Sequence, residues 1–192
     1  MIKALFKFSK MPKDFLVIDT TSNSGEYREL SPFILSAPPA KNLENLWQFS
    51  KVYKCFIAEH GNPTYEWFEW HYAGFNNNRA IRYPMGKGVI PVYSYWQNPI
   101  TTEWHKMSYI PARKNIYAPE YAKNVIKTDS FKRLQDLYAQ GKDIILLDYD
   151  AYDYESLGMN LADVINNPKR KCGHAFILLM MLKNELDQCI NS

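Results

Sequence analysis

The order of apolar and polar positions along this chain predicts most of its elements. FLVIDTT (15–21) has the unbroken apolar character of a short buried strand. LSPFILSAPPA reads as a loop or edge strand, because its three prolines remove backbone donors. LENLWQFSKVYK (43–54) follows as a helix that Asn42 is placed to cap. At about 100° per residue, Glu44, Gln48, Lys51 and Cys55 fall in one polar stripe. Leu46, Phe49, Tyr53, Phe56 and Ile57 fill the opposite side, with Trp47 and Val52 flanking the stripe.

Further on, Asn62–Pro63–Thr64 opens a second helix, YEWFEWHYAGF. NNNRAIRYPMGKG is a loop and VIPVYSYW (89–96) a strand. A helix runs through PARKNIYAPEYAKNVI from Pro111, with a break or kink near Pro119. SFKRLQDLYAQG is a clean amphipathic helix stopped by Gly141. DIILLDYD (143–150) is the strongest strand in the chain. AYDYESLGMNLADVINNPKRK is mostly loop, with a helical turn at LADVI, and CGHAFILLMMLKNELDQ closes the chain as one helix. Neither repeats nor a low-complexity linker interrupt this order. It predicts one mostly helical α+β domain over 1–192, with a few short strands.

The 192 residues are enough for a substantial core, and 46% are hydrophobic. Aromatics make up 15%, which suits a packed core and equally suits stacking on bases or nicotinamide. A net charge of +3 permits an anionic ligand without demanding nucleic acid. Cys55, Cys172 and Cys189 are odd in number and form no CxxC, the pattern of reduced thiols in a cytoplasmic protein. No histidine pairs with a cysteine at ligand spacing, so no structural zinc is expected. The longest apolar run, AFILLMML (175–182), is too short to span a bilayer and predicts a buried helix. MIKALFKFSK lacks the features of a signal peptide.

Four constellations are candidates for chemistry. The first is the Glu44, Gln48, Lys51 stripe with Tyr27 and LSPF (30–33) ahead of it. It is either the wet face of a surface helix or the floor of a site, and the greasiness of the rest of the helix argues that it is covered. Asp148, Asp150 and Asp153 form the second, at the end of the strongest strand, where carboxylates do acid/base work, hold hydroxyls or begin turns. In the third, NPKRKCGHAF (167–176), basic residues and Gly173 precede an apolar helix whose N-terminus suits phosphate, or simply form a charged loop; His174 there reads as a capping or packing residue. The fourth is Arg113, a candidate phosphate clamp or an ion-pair partner. PMGKG (84–88) lacks the spacing of a P-loop, and there is no nucleophile elbow, HExxH or dinucleotide fingerprint.

The order Tyr27-x-x-LSPF, then Glu44-N-L-W-Gln48-F-S-Lys51, resembles the NADAR (NAD- and ADP-ribose-associated) family. There an FSNF- or FSPF-like segment precedes a helix of the form S-E-H-Y-x-Q-x-x-K. LLD at 146–148 and GHAFILLMML are similar to the family's later segments. Leu43 and Asn45 stand where the family has Ser and His. DYESLG replaces a Trp-Gly, and KRKCG replaces an Asn-x-x-Gly. Residues 62–110 have no counterpart and read as an aromatic-rich insertion.

The resemblance implies a NADAR-like fold and hydrolysis of the N-glycosidic bond of an ADP-ribose conjugate, such as an ADP-ribosylated nucleic-acid base. It implies Glu44 and Asp148 as catalytic carboxylates, with Asp148 or Asp150 holding ribose hydroxyls or sharing the base role. Lys51, Arg113 and the basic cluster before Gly173 would face the diphosphate, with Gln48 holding Glu44. Tyr27, Phe33 and Trp47 would stack on a base. Neither metal nor redox cofactor is required, and no membrane partner is implied. The alternatives are a receptor that keeps the pocket without the chemistry and sequesters an NAD-derived nucleotide, or a glycosidase acting on another modified base; a small interaction protein is a third reading.

Overall fold

Strand β6 (Ile144–Asp148) is buried at every residue, as a central strand must be when both faces of a parallel sheet are covered. It pairs in parallel with β1 (Ile2–Phe6) on one side and β2 (Leu16–Asp19) on the other, giving the order β1-β6-β2. The computed structural model describes all of residues 1–192. Ile144 and Leu146 face the main core with Ile2, Ala4 and Ile18. Ile145 and Leu147 face the other way, onto Leu5, where Met11 and Phe15 cover them.

The main core is built on α7 (His174–Leu182), HAFILLMML, which is apolar on every side and buried from His174 through Met180. The closing helix is not continuous. It stops at Lys183, turns through Asn184 at φ 58°, and resumes as α8 (Leu186–Asn191). No helix is long and apolar enough to cross a membrane.

Helix α1 (Leu43–Phe49) is capped by the Asn42 side chain, which accepts from Asn45 N at 2.9 Å. It is shorter than the sequence suggests. After Ser50 the chain turns extended as β3 (Lys51–Val52), because Lys51 and Val52 find ladder partners in Ser94 and Tyr93 of β4 (Tyr93–Gln97). Strand β5 (Trp104–Met107) completes a second, antiparallel sheet, β3-β4-β5. The predicted strand at 89–96 is thus displaced toward its C-terminal end.

Helix α2 (Tyr65–Phe75) falls where the sequence places it and crosses α1 closely. A Cβ built on its Gly74 would lie 2.0 Å from Phe49 Cδ1, so only glycine permits this approach.

From Tyr109 to Val125 the chain is helical throughout: α3 (Tyr109–Ala112), a π-helical turn (Arg113–Tyr117) and α4 (Ala118–Val125). The widened turn lies immediately before Pro119, whose ring would crowd an α-helical carbonyl one turn earlier. Helix α5 (Asp129–Ala139) is capped by Thr128 and ends before Gly141 at φ 76°. Helix α6 (Leu161–Asn166) opens with a capping box between Asn160 and Asp163. One α+β domain results.

Gly74→Ala is expected to destabilise the chain by about 1–3 kcal/mol, since the methyl group must displace the buried Phe49 ring. Urea denaturation of the purified variant against wild type measures it.

Candidate functional site

A cavity of about 860 Å³ opens between α1, the carboxyl end of the parallel sheet, the π turn and the loop at 82–91. The edge of a sheet beyond its strand ends is a recurrent place for ligands, because loops from separate strands converge there. Here Thr21 and Ser22 follow β2, and Asp148, Tyr149 and Asp150 end β6.

The polar stripe of α1 forms one wall. Glu44 is buried, and its Oε1 accepts from Gln48 Nε2 at 2.8 Å. Gln48 Oε1 in turn accepts from Lys51 Nζ at 2.7 Å. The amide is oriented by its partners, since the opposite flip would set its oxygen against a carboxylate. Glu44 Oε2 takes no hydrogen bond from the protein and is left to the cavity. Burial pushes the Glu44 carboxyl above its ordinary 4.5, against the pull of Gln48, Arg82 and Lys51. Burial also lowers Lys51 to about 8, with Glu44 opposing and Lys171 and Arg82 adding to the fall. Lys51 belongs to β3, not to the helix. It reaches back over Trp47, its Nζ 4.8 Å from the ring centroid.

Trp47 stands 5.3 Å from the Tyr117 ring and 6.4 Å from that of Tyr109. Phe33 lines the cavity as well, so two of the three predicted stacking residues are in place. Tyr27 is not. The turn after Ser24, whose Oγ accepts from Tyr27 N, carries it toward α5. There its neighbours are the Glu26–Arg133 ion pair and Ser130, which donates to Glu26 O.

Asp148 lies in the cavity wall but its carboxylate is engaged. Oδ2 meets His174 Nδ1 at 3.0 Å and accepts from Ala175 N at 3.3 Å; Oδ1 accepts from Asp150 N at 3.1 Å. Burial would raise its pKa, but the imidazolium charge and these donors hold it down to about 2. Burial would likewise lower His174, and Asp148 reverses this, raising the ring above its ordinary 6.5. His174 Nε2 faces Thr20 O at 2.9 Å and Thr20 Oγ1 at 2.8 Å. The Asp–His–Thr connectivity is that of a hydrolase triad, yet Thr20 is fully buried and its hydroxyl donates to Leu147 O. A carboxylate at pKa about 2 is also a feeble base. Both Asp148 oxygens thus already have partners within the fold.

Gly173 is indispensable to that arrangement, because a Cβ there would lie 2.1 Å from Asp148 Oδ2. The expected phosphate position at the start of α7 is accordingly filled by the chain's own carboxylate. Arg113 lines the cavity, but its donors are turned to the backbone. It is buried, and its guanidinium donates to the carbonyls of Ile165 (2.9 Å), Asn167 (3.0 Å) and Arg170 (3.0 Å), tying down the end of α6. Asp150 pairs with Arg82 (2.7 Å) and Lys171 (3.1 Å) at the cavity rim.

Several site residues were not legible in the sequence. Arg82, Tyr83 and Tyr109 come from 62–110, which is thus part of the site and not an appendage. Asn45 pins that segment: its amide donates to Asn77 O and Arg79 O, and its Oδ1 accepts from Ile81 N. Tyr117 presents a hydroxyl with no protein partner, held far above its ordinary pKa by burial and then by Asp148 and Glu44. Its aim depends on the π turn, for which the only sequence signal is Pro119.

No family model, curated protein or solved structure matches this chain.

The Asp148–His174 pair sets a pH window. The depressed Asp148 contributes stability above its ordinary 3.8 that is lost as pH falls through about 2. The raised His174 contributes below its ordinary 6.5 and loses its share as pH rises through the elevated value. Asp148→Asn should cost about 3–5 kcal/mol at pH 5, by leaving the imidazole without its partner. The gap from wild type should narrow toward pH 2, as read by denaturant titration at each pH.

Proposed function

We propose that this chain is a divergent NADAR-like N-glycosidase that hydrolyses the C1″–N bond of an ADP-ribose conjugate. The observation that carries the proposal is the Glu44–Gln48–Lys51 chain, buried at Glu44 and Gln48, in the wall of a cavity large enough for a nucleotide. That arrangement favours a site floor over a wet helix face.

Cleavage of a ribosyl C–N bond passes through an oxocarbenium-like sugar. Glu44 Oε2 takes the proton of a water whose oxygen bonds to C1″, while the C1″–N pair departs with the base nitrogen. A carboxyl raised by burial is better matched to this task near neutrality than one at the ordinary value. Gln48 fixes its orientation through Oε1.

The diphosphate belongs at Lys51. Arg82 and Lys171 are engaged with Asp150, and Arg113 with carbonyls, whereas Lys51 makes one hydrogen bond and keeps two N–H donors. Trp47, Phe33 and Tyr109 offer faces for a base or nicotinamide. Three unbonded cysteines suit a cytoplasmic setting. One observation favours a receptor without chemistry: with Asp148 locked to His174, Glu44 has no second free carboxylate beside it.

Mass spectrometry of ADP-ribosylated DNA and free NAD-derived nucleotides after incubation with the protein distinguishes the two. Release of ADP-ribose by wild type, lowered about 10²- to 10⁴-fold in Glu44→Gln with an unchanged melting curve, is the expected result. Ligand retained intact by both proteins would leave the receptor. Calorimetry supplies a separate check. ADP-ribose affinity in wild type should fall as pH rises through about 8, where Lys51 loses its proton. In Lys51→Met it should be weaker and flat across that range.

A further inference from the structure

Three aromatic rings stand in water beside the cavity. Phe8 is 72% exposed, Phe6 41% and Tyr149 40%. They pack edge to face in a row, with Phe6 and Phe8 centroids 5.6 Å apart at 76° and Phe8 and Tyr149 6.0 Å apart at 64°. Lys7 N donates to Asp148 O at 3.0 Å, which holds the end of β1 against the end of β6 and so keeps the row in register with the site. Tyr149 sits between Asp148 and Asp150 and lines the cavity, so the row leads outward from its mouth.

The same segment is basic. Residues 1–13 contain four lysines and no carboxylate. Lys7 is held by Asp19 and Thr21, with its Nζ 5.1 Å from the Tyr149 ring centroid. Lys3 pairs with Glu155. Lys10 and Lys13 are free of ion pairs, and Lys13 is exposed. Exposed rings in series, on a segment that also carries two lysines without ion pairs, complement a chain of unpaired bases on a polyanionic backbone. An apolar peptide would match the rings and leave the lysines unanswered. A duplex would match the lysines and keep its base faces to itself.

We propose that Phe6, Phe8 and Tyr149 are a stacking platform for single-stranded nucleic acid, which delivers a modified nucleotide into the cavity. This rests on reading the cavity as a nucleotide site, and it names the carrier of the group released there.

The test is fluorescence anisotropy of a labelled, unmodified single-stranded oligothymidylate with wild type, Phe8→Ala and Phe8→Trp. Phe8 is largely in solvent, so its truncation leaves the fold intact, as matching melting curves verify. Wild type is expected to bind, Phe8→Ala about 5- to 100-fold more weakly, and Phe8→Trp close to wild type. A blunt duplex of equal length should bind more weakly than the single strand. Absence of binding to wild type, equal affinity in Phe8→Ala, or equal affinity for the duplex would overturn the platform. The probe carries no ADP-ribose, so the outcome is independent of turnover. Release of ADP-ribose without strand binding would retain the glycosidase and remove the platform; strand binding without release would do the reverse.

Discussion

The buried contact between Asp148 and His174 is the constraint on which the rest of the site depends. It joins the last residue of the central strand to the first residue of the all-apolar helix packed on it. An unpaired charge at either position would be very costly, so the strand end and helix start are fixed together. Gly173 exists to let the carboxylate in. With that junction set, Tyr149 and Asp150 emerge at the cavity mouth, and the free amide at the start of α7 has its acceptor. Both oxygens of a carboxylate in the cavity wall are thereby engaged by the chain itself.

The cavity's opposite side is ordered by a different device. Asn45 sits on the same helix as Glu44 but points to the other flank, where it holds three backbone groups of the 77–81 loop. Arg82 follows immediately and reaches Asp150. The helix that offers the acid therefore also places the arginine that tempers it. A polar residue in place of an apolar one at position 45 has no meaning by helical periodicity alone; its reason is a loop more than thirty residues away.

Local pattern made α2, α5, α6 and β6 readable, because each is defined by its own spacing and end signals. Pairing over long separations did not show. The end of α1 at Phe49 is decided by β4, which captures Lys51 and Val52, and so a stripe at helical spacing is in fact two residues on a helix, one on a strand and, at Cys55, one in a 3-10 turn. Strand β1 carries an ordinary-looking MIKALF, given meaning by a partner strand near the far end of the chain. The Glu44, Gln48, Lys51 cluster was legible even so, because reaching back from β3 preserves the proximity that a longer helix would have given. Arg113 and Tyr27 were not, since each finds its partners in a different part of the fold. Arg113 has the residue type of a phosphate clamp, and only the carbonyls around it reveal a brace.

The chain of bonds from Lys51 through Gln48 to Glu44 has a direction. Its amide dipole lies between a cation and a carboxylate and is aligned with both, so the floor of the cavity is positive at one end and negative at the other. Where a ligand displaces water, such a fixed gradient is less damped. A ligand with one anionic end and one end that develops positive charge can lie along it in a single sense. The reverse orientation would set like charges against each other at both ends. On the function proposed above, the three side chains would act as a polarity key that sets how a ligand lies in the cavity.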